Sequence, residues 1–215
     1  MHTVLSTKML SQAQKNLLLN AGVALVEYNA IKIEAQDFIC EEVISNGIIT
    51  SQNAANIIIN RKIKIENVFC VGEKTAGLLK DHGFNIAKTS NYGKDLAEIL
   101  STGYRNRNFT FFCGDKRRDD IPLILKEKNI EVREIEVYKT QLVPKKFDQK
   151  FDGILFFSPS AVQSFMMANH PGESPVFCIG TTTAAEAGNF TQNILIATKP
   201  SIENVIVQVV KKFRI

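Results

Sequence analysis

The sequence predicts an α/β protein built from two similar lobes, each a parallel β-sheet flanked by helices. Two observations carry this. Short apolar runs alternate with longer amphipathic ones along the whole chain, the pattern of strands that feed helices and return to parallel strands. A segment also recurs: VFCVGEKTA at residues 68–76 returns as VFCIGTTTA at 176–184, displaced by 108 residues in a chain of 215. ITSQNAA (49–55) lines up with FFSPSAV (156–162), and LLLNAGVALVEYNAIKI (17–33) more faintly with LILKEKNIEVREIEVYK (123–139). Such a period is far too long for a solenoid repeat and marks a duplicated unit. Two facing lobes make a cleft, and a cleft is where a ligand sits.

Residues 3–6 open the chain as a short apolar strand. A helix follows over 11–21, with Ser11 as a hydroxyl cap and Ala13, Leu17 and Leu18 at helical spacing. The next strand is expected over 23–33. Strand and helix then alternate as 47–49 with 51–61, 67–71 with 74–81, 85–88 with 94–100, and 109–112 with 119–128. A strand over 131–138 precedes three further pairs: 153–157 with 160–168, 176–179 with 182–188, and 193–197 with 201–213.

Two segments break the rhythm. Residues 28–35 (YNAIKIEA) and 137–143 (VYKTQLV) are extended and alternating, at similar places in the two repeats, and Pro144 with the charged KKFDQK run follows the second. Each can be an ordinary edge strand. Alternatively both cross between the lobes side by side, which would make one lobe discontinuous. The pattern leaves both open.

Composition excludes several classes. With 45% hydrophobic and 22% charged residues the chain is ordinary globular protein, and a net charge of +4 suits an anionic small molecule better than nucleic acid. The densest basic stretch, Lys116–Arg117–Arg118, lies between Asp115 and Asp119. Cys40, Cys70, Cys113 and Cys178 form no CxxC, and His2, His82 and His170 are scattered, so a zinc site is not expected. The apolar settings VFCVG, FFCGD and VFCIG predict buried thiols. Residues 1–8 lack the apolar core of a signal peptide, and no run approaches the ~20 apolar residues of a membrane span. A cytoplasmic protein without membrane or nucleic-acid partners is expected, and a monomer.

The chemistry concentrates at four strand-to-helix turns: Thr50-Ser51-Gln52-Asn53, Gly72-Glu73-Lys74-Thr75, Ser158-Pro159-Ser160 and Gly180-Thr181-Thr182-Thr183. A helix start exposes unpaired N–H groups and the positive end of its dipole. Hydroxyls there either cap the helix or leave its amides for an incoming anion. For one turn, capping is the plainer reading; four turns paired by duplication point to an anion-binding rim. GxxxxGK[ST], GxGxxG and GxSxG are all absent, which removes the main support for nucleotide and serine-nucleophile readings. Tyr138 is either a packing tyrosine or a phenol at a site. Lys74, Arg117 and Arg118 are either solvated charges or carboxylate contacts, and His82 in KDHGF reads as a surface residue.

In order along the chain, ITSQNAA, VFCVGEKTAGLL, FFCGDKRRDDIPLIL, EVREIEVYKT, FFSPSAVQSF and VFCIGTTTAAEA resemble the uroporphyrinogen-III synthase family. The order and spacing carry the likeness, chiefly VYKT followed by FSPSAV and IGTTTA. The resemblance implies two α/β lobes joined by a two-stranded β-ladder. One lobe would comprise residues 1–28 plus 144–215, the other 33–137, with 28–35 and 137–143 connecting them. It implies an enzyme that takes the linear tetrapyrrole hydroxymethylbilane, expels its hydroxyl as water and closes the ring with the terminal D ring inverted, without metal or organic cofactor. Tyr138 matches the family's tyrosine and would assist the departing hydroxyl. Ser158, Ser160, Thr181, Thr182 and Thr183 would anchor carboxylates from one lobe, and Ser51, Asn53, Lys74 and Thr75 from the other. Gln52 departs from relatives that vary at this turn, so no cation stands there, and Asn91-Tyr92-Gly93-Lys94 corresponds to a serine-containing turn in many of them. A non-enzymatic two-lobed binder of a small anion is the alternative, followed by a nucleotide-dependent transferase or reductase.

Overall fold

The computed structural model describes residues 1–117 and 119–213. Its elements begin with β1 (Thr3–Ser6), α1 (Gln12–Leu19), β2 (Ala24–Glu27), β3 (Ile31–Ala35) and β4 (Val43–Ile49). They continue with α2 (Gln52–Asn60), β5 (Lys64–Val71), α3 (Glu73–Asp81), β6 (Ile86–Ser90) and α4 (Gly93–Gly103). Next come β7 (Phe109–Gly114), α5 (Asp120–Glu127), β8 (Val132–Leu142) and β9 (Gly153–Phe156). The chain closes with α6 (Pro159–Met166), β10 (Val176–Cys178), α7 (Thr181–Ala187), β11 (Ile194–Ile196) and α8 (Ile202–Phe213). Among the described residues no helix is long and apolar enough to cross a membrane.

The chain divides into two compact units. Unit 1 is Met1–Lys32 with Gln141–Ile215, and unit 2 is Ile33–Thr140. Unit 1 holds a parallel five-stranded sheet in the order β11-β10-β9-β1-β2. Unit 2 is built on the order β3-β8-β7-β4-β5-β6, parallel from β8 to β6. The chain passes between units within β3 and just at the end of β8, which neighbour each other. Gln36 N–H donates to Val137 O and Val143 N–H to Ala30 O, both at 2.9 Å, so the two strands run antiparallel.

Both faces of each sheet are covered, and the repeated motif shows how. Successive strand residues point to opposite faces. In unit 2, Val68 and Cys70 face α2 and α3 with Ile49 and Phe112, while Phe69 faces α4 and α5 with Ile48 and Phe111. In unit 1, Val176 and Cys178 join Leu5 and Phe156 beneath α6 and α7, while Phe177 joins Val4 and Leu155 beneath α1 and α8. Strands buried on both faces read as continuous apolar runs, which is why VFC stands out twice.

Several boundaries differ from the sequence expectation. The strand expected over 23–33 is interrupted between β2 and β3. Tyr28 and Ala30 are buried there, and their N–H groups still donate to Ser6 O and Thr7 O as the chain leaves β1. The strand expected over 47–49 starts four residues earlier. Its polar Asn46 is buried because Arg107 donates to its Oδ1 and its Nδ2 donates to Asn108 O. At α1 the hydroxyl cap is a full capping box: Gln14 N–H donates to Ser11 Oγ, and Ser11 N–H to Gln14 Oε1.

Two expected results arise here. Cys70, Cys113 and Cys178 are buried free thiols, and burial pushes Cys113 up to about 11 and Cys178 up to about 12, whereas Cys40 is half-exposed. Thiolate is the reactive form, so a disulfide reagent should titrate one thiol rapidly in the native protein and four in denaturant. A second fast native thiol would contradict this burial.

The second concerns Asp152, which ties the start of β1 to β9 by accepting Thr3 N–H at 2.7 Å; that bond, with His2 nearby, holds its carboxyl below the usual range. A depressed native value means that its contribution is full above the unfolded value, about 4, and is lost as pH falls through the native one. Asp152→Asn should lower stability at pH 7 by less than about 1 kcal/mol, since the pair is half-exposed. The difference from wild type should narrow in thermal melts as pH is taken below about 4.

Candidate active site

Each sheet contains one place where consecutive connections leave adjacent strands on opposite faces. In unit 2 the chain leaves β4 through α2, which shares a core cluster with Ile49 and Phe112, and leaves β7 through α5, which shares the cluster of Phe69 and Phe111 on the other face. In unit 1 it leaves β1 through α1 on one face and β9 through α6 on the other. Open α/β sheets bind ligands in the crevice at the carboxyl ends of such strands. In unit 2 that crevice is framed by Thr50 and Ser51 after β4 and by Gly114 and Asp115 at the end of β7. In unit 1 it is framed by Thr7 and Lys8 after β1 and by Phe157 and Ser158 after β9.

The phenol of Tyr138 lies in the unit 2 crevice. β8 runs parallel to β7 with a register shift after Cys113, so that Cys113 pairs with Glu136 but Gly114 with Tyr138. The extra residue in β8 turns Tyr138 over Gly114. A Cβ on Gly114 would lie 2.4 Å from both Cε2 and Cζ of the ring. The phenol oxygen reaches across to β4, 3.2 Å from Ser51 Oγ. Asp115 clamps the main chain, donating its N–H to Tyr138 O and accepting Thr140 N–H at Oδ1.

The four turns fall into two kinds. Ser51 caps α2 by accepting Ala54 N–H, and Ser158 caps α6 by accepting Ala161 N–H, each at 3.1 Å. The turns at Gly72 and Gly180 have no side-chain cap, so the first amides of α3 and α7 are not closed off by their own sequence. These two glycines differ in backbone: Gly72 needs φ +87°, which favours glycine, whereas Gly180 is extended and any residue would serve.

Exposure sorts the remaining candidates. Thr181, Thr182 and Lys74 are exposed and Asn53 is half-buried. Thr75, Ser160 and Thr183 are 5, 9 and 3% exposed, so little of each residue reaches the surface. Arg117 is engaged by Asp119 and Glu134; despite partial desolvation these carboxylates hold its guanidinium firmly protonated. Arg118 lies outside the described residues. Lys8, exposed beside the unit 1 crevice, is not among the residues that the sequence marks; its only local signal is a lysine two residues past a short apolar strand.

The sequence matches the model of the family described as uroporphyrinogen-III synthase HemD over residues 12–206. No curated protein matches it significantly. Among solved structures, uroporphyrinogen-III synthetase from Helicobacter pylori superposes with a TM-score of 0.75 at 17% identity, covering 99% of this chain and 100% of that one. A mutant uroporphyrinogen III synthase from Thermus thermophilus superposes with a TM-score of 0.68 at 14% identity, covering 99% and 98%. At these identities the likeness speaks for the fold, and the two-sheet α/β architecture read from the sequence is the one observed. Because the family model spans nearly the whole chain, from the capped start of α1 into α8, the chain belongs to the uroporphyrinogen-III synthase family.

Proposed function

We infer that this protein is a uroporphyrinogen-III synthase, a lyase that removes water from hydroxymethylbilane and closes the tetrapyrrole ring with ring D inverted. The observation that carries this reading is the Tyr138 phenol held at the unit 2 crevice, on Gly114 and beside Ser51. It supplies a proton donor in a chain whose family performs a reaction that expels hydroxide.

The electron-rich pyrrole itself drives departure of the hydroxyl and forms an azafulvene. Protonation by Tyr138 lets the group leave as water. Attack by ring D's substituted carbon then gives a spiro centre with no proton to lose. Breaking that carbon's older bond, to the bridge from ring C, restores the pyrrole and leaves a second azafulvene on ring C. Ring D's free α-carbon closes onto this azafulvene and releases the proton that restores the balance. The remaining task is geometric: curling the chain so that the substituted carbon attacks first, which is catalysis by positioning. The substrate's eight carboxylates call for many modest contacts. In unit 2 we assign these to Asn53, Lys74 and the open amides of α3. In unit 1 we assign them to Thr181, Thr182 and Ser158, with Lys8 adding a cation. Thr75, Ser160 and Thr183 at the same turns add hydroxyl contacts of smaller reach. The four unpaired cysteines fit a reducing compartment, the cytoplasm.

Incubation with freshly generated hydroxymethylbilane and separation of the product isomers tests the assignment. Type III product is expected; type I alone, the product of spontaneous closure, would overturn it.

A further inference from the structure

We propose that Ser51 and Gly114 are positioning residues that together cradle the Tyr138 phenol, with its proton directed away from β4 and available for transfer. This rests on the reading of Tyr138 as the donor to the departing hydroxyl.

Gly114 is needed for space. Its φ is not positive, so another residue would fit its backbone, but a Cβ would lie 2.4 Å from two ring carbons of Tyr138 and 2.8 Å from the phenol oxygen. Contacts that short do not occur, so any side chain at position 114 displaces the phenol. The register shift after Cys113 brings the ring to this spot, so bulge and glycine act as one device.

Ser51 sets the direction of the proton. Its Oγ is held in place by accepting Ala54 N–H as the cap of α2. A hydroxyl has one proton to give, and the phenol oxygen stands 3.2 Å from Ser51 Oγ. When Ser51 donates to that oxygen, the phenol's own proton is left for a second acceptor. The separation exceeds the usual 2.5–3.0 Å of O–H···O bonds, so the contact orients the phenol without holding it tightly. This role differs from anchoring a substrate carboxylate, because it acts through Tyr138 and changes the chemical step, not substrate affinity.

The test uses protein labelled with 13Cζ-tyrosine, whose four signals are assigned by loss of one in Tyr138→Phe. Ser51→Gly removes the hydroxyl while keeping a residue tolerated at a helix cap. It should shift the Tyr138 signal and lower kcat for type III product by about 10- to 100-fold with KM unchanged, the scale of a misplaced catalytic group. Ser51→Thr should restore both. Gly114→Ala should lower kcat at least as far, with no further loss when added to Tyr138→Phe. If Gly114→Ala does not fold, the Ser51 pair decides alone.

An unchanged signal and kcat in Ser51→Gly would overturn the cradle, as would a rise in KM alone, which makes Ser51 a substrate contact. Full activity in Tyr138→Phe would overturn the donor reading and the proposal with it. That outcome is distinct from failure of the cradle alone, in which Tyr138→Phe loses activity and Ser51→Gly does not.

Discussion

Tyr138→Phe is expected to reduce kcat for type III product by about 100-fold or more while leaving the fold intact. Proton transfer from a placed side chain is typically worth 10²- to 10⁴-fold. The substitution removes that proton and nothing else of size: the ring stays over Gly114, and the phenol gives up one 3.2 Å hydrogen bond of a half-buried group. Such a bond contributes about 1 kcal/mol or less to stability, so thermal melts of the two proteins should nearly superpose. Type I product should take over as turnover falls, because ring closure without inversion needs no enzyme. The measurement is initial rate by isomer, at saturating and limiting substrate. A variant that forms type III product at the wild-type rate would remove Tyr138 from the mechanism.

How much of this is legible without coordinates depends on whether the determinant is local. The sheets are legible because strands covered on both faces leave apolar runs, and VFC at 68–70 and 176–178 is such a run twice over. The early part of β4 is not, since Asn46 looks like surface until Arg107 and Asn108 satisfy it. Residues 28–35 and 137–143 cannot be decided by pattern, because an edge strand and a crossing strand share the same half-polar alternation. At the site, Ser51 and Tyr138 stand out separately, 87 positions apart, and nothing near either announces the other. Their meeting follows from strand order and from one extra residue in β8 opposite Gly114. Thr75, Ser160 and Thr183 group with the rim in sequence because they follow strand ends. Two or three residues into a helix the side chain leans toward the sheet, so all three show little surface, a difference in exposure that position after a strand does not announce.

The duplicated phenylalanines should respond unequally to truncation, although their sequence settings are nearly identical. Phe69 and Phe177 are both fully buried, and Phe→Ala in such a position costs about 3–5 kcal/mol, a large part of the roughly 5–15 kcal/mol that holds a domain folded. The cost depends on how well the surroundings close over the space left behind. Phe69 packs edge-on against Tyr104 and Phe109, ring centroids 4.9 and 5.4 Å away, and these large side chains can tilt into the gap. Phe177 lies over Gly153, where a Cβ would come within 2.8 Å of its ring, with Phe213 at 6.0 Å on one side. A glycine has nothing to move into a cavity, so Phe177→Ala should fall at the upper end of the range and Phe69→Ala at the lower. Each ring belongs to a cluster inside one unit, so the damage should be local to it. Hydrogen exchange should show lost protection within Ile33–Thr140 for Phe69→Ala, and within Met1–Lys32 and Gln141–Ile215 for Phe177→Ala. Equal loss across both units, or a greater loss for Phe69→Ala in urea titrations, would contradict an account in which the repeat preserved the strand but not the packing around it.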